Sequence, residues 1–468
     1  MKRLSLTALL LTTLLLAPAL WAADLTLPEY ERVELANGTV LLLSEKHDVP
    51  LIGMRAVVRG GSAADPAERS GLAELLATVM QKGAGDRDAA AFAEAAASVG
   101  GHLSVSANIE SIAVAAEFLS RDAELMIELV ADVLQRPTLS ADELEKERNR
   151  TIGLIKSAKD SDPSGLMRAY GNAFLFPDHP YGNPTSGSEA SLPTIEHDDL
   201  LQFYADRFGG DRLIVAVAGD FDLTAMKAAL TSAFGGWGPA AVALPEVAAA
   251  ERAQGRRVLL VDKPGATQTY FWIGNIGVAV DYPHRAELNL ANTVFGGRFT
   301  SMLLTELRVK SGLTYSARST LERHVQPGSV TIRSFTETSK TVEAIDLALS
   351  VLDRLHVKGL DDEMIVSARN YFMGQFPPSL ETASSLAGMF ARLEFYGLDR
   401  SYIDDYGPAL EAATPVTVHN TISDVYPQAE NLVFVLIGDA DLIREGVAKY
   451  GDVTEMSIAE PGFTPGGE

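Results

Sequence analysis

The chain repeats itself, and a long repeat limits the possible folds more than any local propensity does. Val40-Leu41-Leu42-Leu43-Ser44-Glu45-Lys46 returns in character as Val258-Leu259-Leu260-Val261-Asp262-Lys263, 218 positions further on. The stretch Met126-Ile127-Glu128-Leu129-Val130-Ala131-Asp132-Val133-Leu134 recurs at the same offset of 218 as Ala344-Ile345-Asp346-Leu347-Ala348-Leu349-Ser350-Val351-Leu352. Arg212-Leu213-Ile214-Val215-Ala216-Val217-Ala218-Gly219-Asp220 returns as Asn431-Leu432-Val433-Phe434-Val435-Leu436-Ile437-Gly438-Asp439, offset by 219. The first pair reads as a buried strand and the second as a helix with apolar residues at helical spacing. The third reads as a core strand that leaves its sheet through a Gly-Asp turn. Three matches in one order at nearly one offset imply two copies of a single α+β domain of about 220 residues.

Within the first copy, Leu103, Val105 and Ala107, then Ile112, Val114 and Ala116, alternate as an antiparallel hairpin does; Val330, Ile332 and Ser334 sit similarly in the second. Helical segments follow each hairpin, so the expectation is antiparallel sheets covered by helices rather than alternating βαβ units. The resulting division is a signal peptide over 1–23, an N-terminal domain over 24–238, a linker over 239–256, a C-terminal domain over 257–457 and a tail over 458–468. The linker follows Gly235-Gly236-Trp237-Gly238-Pro239. The tail, with Pro461, Pro465, Gly466 and Gly467, is expected to fray.

The signal peptide is read from Lys2 and Arg3, the apolar run from Leu4 to Leu16, Pro18, and the small residues Ala22 and Ala23 before Asp24. Pro18 interrupts the run, and no later span of roughly 20 apolar residues offers a membrane helix, so a periplasmic protein with no membrane association after cleavage is expected. With 47% apolar and 22% charged residues the chain can bury a large core. Its 39 Lys and Arg against 62 Asp and Glu give a net charge of −23, which argues against nucleic acid as a partner. Having no cysteine, it can carry no disulfide, thiolate metal site or Cys nucleophile.

Several short segments together carry a resemblance. They are Gly60-Gly61-Ser62 followed by Ser70-Gly71-Leu72-Ala73, His179-Pro180-Tyr181-Gly182-Asn183-Pro184 with Gly187 and Glu189, and Gly219-Asp220 after a strand. In the second half, Phe295-Gly296-Gly297-Arg298 leads to Leu307-Arg308 and Gly312-Leu313-Thr314-Tyr315-Ser316. Over nearly its whole length the chain resembles the pitrilysin-type, or inverzincin, zinc peptidases. The resemblance implies two homologous domains of one clam-shell half.

That family places an H-x-x-E-H motif on the helix after the Gly-Leu-Ala segment, because residues four apart share a helix face and two imidazoles can then share one metal. Aligned on Gly71-Leu72-Ala73, the corresponding positions are Glu74, Ala77 and Thr78. None is histidine, and the general base is missing. The family's third ligand, a Glu on a later helix, falls around Leu154-Ile155, where no acid stands. The eight histidines (His47, His102, His179, His197, His284, His324, His356 and His419) offer no substitute pair, since the closest two are 18 residues apart.

Arg308 and Tyr315 point the other way. The resemblance implies a substrate clamp for them, in which a fixed positive fork and a phenol stabilise charge on a peptide carbonyl near the metal. In two-subunit bacterial members one subunit carries zinc and the other this Arg/Tyr pair, and the chain resembles the second kind. It is therefore expected to hold no cofactor itself, to pair with a zinc-bearing paralogous subunit, and to act on peptide or unfolded protein with Arg308 and Tyr315 working in trans. A non-enzymatic peptide-binding or scaffold protein of the same fold is the alternative. On spacing alone, Arg308 and Tyr315 fit a helix-end charge and a packed aromatic better than a clamp, and only the resemblance reverses that preference; Glu74 fits a capping or solvated acid, and His179 fits a turn histidine.

Overall fold

The computed structural model describes residues 26–466, so the signal-peptide segment lies outside the described residues. Two six-stranded sheets carry the fold. The first runs Glu31–Glu34, Val40–Glu45, Leu213–Gly219, Leu51–Arg59, Ser111–Leu119, His102–Ala107. The second, taken from the matching edge, runs Asp452–Ser457, Arg257–Asp262, Val433–Gly438, Gln268–Ile276, Ser329–Glu337, Ala317–Leu321. Five strands correspond one to one. In each sheet the first of the five lies parallel to its inner neighbour, and the next three pairings are antiparallel. The sixth strand differs: Glu31–Glu34 comes from the start of its domain and pairs antiparallel, whereas Asp452–Ser457 comes from the far end and pairs parallel. The repeated sequences fall on matching elements, the helical pair in Ala123–Gln135 and Thr341–Lys358.

The strands nearest the repeat are apolar on both faces because both faces are covered. Leu41 and Leu43 face a core made mostly by the first half, while Val40 and Leu42 face a separate cluster that includes Leu386, Phe390 and Leu393. Those last residues belong to helix Ala383–Phe395, which comes from the second half of the chain. The exchange is reciprocal. Helix Met167–Leu175 of the first half lies on the second sheet, where Trp272, Val433, Val435 and Ile437 join the first core.

The close approaches explain two glycines. A Cβ on Gly53 would collide with the backbone at Ser384, and one on Gly171 would stand 2.8 Å from the Trp272 indole. Each exchanged helix ends on an arginine of the sheet it covers. Arg59 donates to Phe395 O at 2.6 Å and Glu394 O at 3.1 Å, and Arg257 donates to Phe174 O at 2.8 Å and Leu175 O at 3.3 Å. A cation at a helix C-terminus satisfies carbonyls that have no partner within the helix and complements the helix dipole.

The tail corrects an expectation. Its Pro and Gly content suggests fraying, yet Phe463 is buried, edge-on to Tyr170 at 4.9 Å. Lys159 Nζ donates to Glu460 O at 2.5 Å, and Ala190 N donates to Pro461 O at 3.1 Å. One large aromatic side chain with a pocket to fill outweighs the turn-forming residues around it. Residues 239–256 form neither helix nor strand and are held to the first half by backbone carbonyls, with Arg207 Nη1 on Ala243 O at 2.6 Å and His179 Nε2 paired with Ala248 O at 2.8 Å. Among the described residues no helix is long and apolar enough to cross a membrane.

Candidate functional site

Helix Leu72–Met80 carries the positions that correspond to the zinc motif. Its first turn is capped by Asp65, which accepts from Gly71 N at 2.9 Å and Ala73 N at 3.0 Å. Glu74 is thus neither the cap nor a solvated acid, as its place early in a helix suggests. It turns toward the first sheet's outer edge and accepts from Ala107 N at 3.0 Å, and burial raises its carboxyl above the usual range. Gln81 Nε2 donates to Val105 O at 2.9 Å, so this helix covers part of that edge. Ala77 is fully buried in the core.

On the later helix Ala141–Asp160, Ile155 is buried and Leu154 is exposed. The buried acid of that helix, Glu147, is bound by Lys82 at 2.9 Å and Arg150 at 2.5 Å. One carboxylate, one methyl and one hydroxyl do not fit a zinc ion. Among the described residues, no group of three or more His, Asp or Glu side chains is placed to hold a metal.

Arg308 and Tyr315 are brought together. Arg308 lies on the helical segment Thr305–Lys310, which closes through Gly312 at φ 67°, with Gly312 N on Arg308 O at 3.1 Å and Leu313 N on Leu307 O at 2.8 Å. This left-handed residue folds the chain back so that positions seven apart meet. The Arg308 guanidinium carbon stands 4.2 Å from the centre of the Tyr315 ring and 5.1 Å from that of Phe299. Tyr315 is 71% exposed and Phe299 66%. Tyr315 is therefore not a packed core aromatic. The pair is exposed, and each ring keeps the guanidinium in place without using its donors. Phe299 is a member of this cluster that the sequence did not single out, because an aromatic two residues after a glycine pair carries no pattern of its own.

A cavity of about 750 Å³ opens between the two halves, and neither Arg308 nor Tyr315 lines it. Glu110, at the turn of the first hairpin, ties the halves together there. It accepts from Tyr181 Oη at 2.5 Å and from Val325 N at 3.0 Å, while Gln326 N donates to Tyr181 Oη at 3.1 Å. Burial raises the Glu110 carboxyl and, with some help from Arg168, pushes the neighbouring His324 imidazole down to about 4. His179 sits in the turn, accepting from Tyr181 N at 3.0 Å.

Residues 40–189 match the family model described as insulinase (peptidase family M16), and residues 194–372 match the one described as the peptidase M16 inactive domain. The chain belongs to peptidase family M16. This is the pitrilysin-type family whose motifs the sequence resembles. Among M16 relatives, an uncharacterized zinc protease of Mycobacterium tuberculosis is 29% identical over 347 residues, covering 73% of this chain and 78% of that protein. A protein of Helicobacter pylori named as a non-peptidase homolog is 25% identical over 374 residues, covering 77% of this chain and 83% of its own. The crystal structure of a peptidase M16 inactive domain from Pseudomonas fluorescens superposes with a TM-score of 0.82 at 22% identity, over 88% of this chain and 98% of that one. The fold is thus the M16 clam-shell half, and this M16 chain lacks the ligand set that the family's catalytic motif requires.

Proposed function

We propose that the chain is the subunit without zinc of a periplasmic heteromeric M16 peptidase, supplying half of the chamber wall and, through Arg308 and Tyr315, a substrate clamp that acts on a peptide held at the zinc of a paralogous subunit. The observation that carries this reading is the exposure of the pair. Arg308 spends its charge on two exposed rings, and both side chains lie outside the chain's own cavity. An always-charged fork and a phenol held this way are preorganised donors for a developing oxyanion, and a partner's bound peptide could reach them. The reading places zinc in the partner, and it rests on the N-terminal segment for export.

The test is co-expression with the nearest zinc-motif paralogue, and measurement of peptide cleavage by each chain alone and by the mixture. Cleavage is expected only in the mixture, and Arg308→Ala or Tyr315→Phe in this chain is expected to lower it by roughly 10²-fold, the usual effect of losing one oxyanion donor, while the two chains still co-purify. A paralogue that is fully active alone and never associates would discard the reading.

A further inference from the structure

A chain with a net charge of −23 lines its central cavity with arginine. Arg55, Arg168, Arg323 and Arg392 face the cavity against only Glu74 and Glu110. Both glutamates are already engaged by donors, Glu74 by Ala107 N and Glu110 by Tyr181 Oη and Val325 N. Two of the arginines have protein partners: Arg168 pairs with Glu322 at 3.0 Å, and Arg323 gives Nη2 to Asn289 Oδ1 at 3.1 Å. Arg55 and Arg392 have no hydrogen-bond acceptor or ion-pair partner among the described residues.

Arg55 is the more telling of the two. It stands on an interior strand, Leu51–Arg59, and extends over helix Ala383–Phe395 at Gly388, where no side chain intervenes. A half-buried guanidinium without an acceptor is costly. Burial accordingly depresses the pKa of both Arg55 and Arg323. An apolar or basic occupant would leave that cost in place. A carboxylate would offset it, because the planar fork donates to both of its oxygens at once. The overall negative charge repels acidic ligands at long range, so any preference for them has to come from this local cluster. The cavity also carries apolar wall at Val57 and Phe395, suited to the residues that flank an acid in a peptide.

We infer that this cavity binds an acidic peptide segment, whose carboxylates, on side chains or at the C-terminus, are held by Arg55 and Arg392 in the field of Arg168 and Arg323. The inference rests on the peptide-handling reading above and names the class of peptide.

The experiment uses the full chain alone and the fluorescence anisotropy of dansylated peptides that share one apolar framework. One carries glutamates, one carries glutamines and one lysines at the same positions, and a fourth is the glutamate peptide amidated at its C-terminus. The glutamate peptide is expected to bind at least about tenfold more tightly than the glutamine or lysine peptide if side chains are held, or than its amide if the terminus is. Arg55→Gln and Arg392→Gln are each expected to weaken the glutamate peptide about fivefold or more, leaving the glutamine peptide unchanged if side chains are held and the amidated peptide unchanged if the terminus is. Arg392 is exposed and without a protein partner, so its variant should keep the parent melting temperature even if Arg55→Gln does not fold. Equal binding of all four peptides, or an unchanged affinity in Arg392→Gln, overturns the inference while leaving peptide handling intact. No binding of any peptide overturns both.

Discussion

His324 lies between the two halves, beside Tyr181 at a ring separation of 4.9 Å. Its imidazole is pushed down to about 4 by burial and then by Arg168, whereas an unfolded histidine titrates near 6.5. Below that value the unfolded chain takes up a proton that the folded chain refuses, so stability is complete above about pH 6.5 and falls as pH drops toward 4. Glu110, whose carboxyl is raised by burial, works in the opposite sense over the carboxylate range. His324→Gln isolates the histidine's share: the loss in melting temperature between about pH 7 and 5 should be visibly smaller than in the parent chain. A different residue tests the clamp. Phe299→Ala removes an exposed ring and should change stability by less than about 0.5 kcal/mol in urea titration, yet it frees Arg308 and should reduce cleavage by the mixed subunits. The Arg308 and Tyr315 pair is legible only through the resemblance to the M16 motifs, because on spacing alone both residues fit purely structural roles. Arg55 is not legible, since an arginine within an apolar strand gives no sign of whether it finds an acceptor.

The strands and the duplicated helices follow from the repeat, and each repeated segment occupies the equivalent element in both halves. Which sheet a helix covers does not follow from the repeat. The apolar residues of Ala383–Phe395 fit any apolar sheet face, and only the missing side chain at Gly53 admits this helix there. Gly53→Val should therefore push the helix away and cost about 3 kcal/mol by overpacking, read as a lower urea midpoint with a similar slope. The tail teaches the same lesson in reverse. Its composition suggests a loose end, but Phe463 is 4% exposed against Tyr170. Phe463→Ala should cost about 3 kcal/mol by the same measurement, and an unchanged midpoint would mean that the tail does not contribute.

For the whole molecule, exchanged helices make the two halves one unit. Each sheet has a face that only the other half can cover, so calorimetry should show a single heat-absorption peak, and a fragment of residues 26–256 should remain aggregated when made alone because the face around Val40, Leu42 and Ala216 stays bare. Two separated peaks, or a soluble and folded fragment, would contradict this. The reciprocal covering also sets a schedule for biogenesis. The last strand to enter the first sheet ends at Gly219, but the helix that closes over it ends at Phe395. A first half that arrives ahead of the second therefore presents a broad apolar face until that helix follows, a window in which a holding chaperone would protect it.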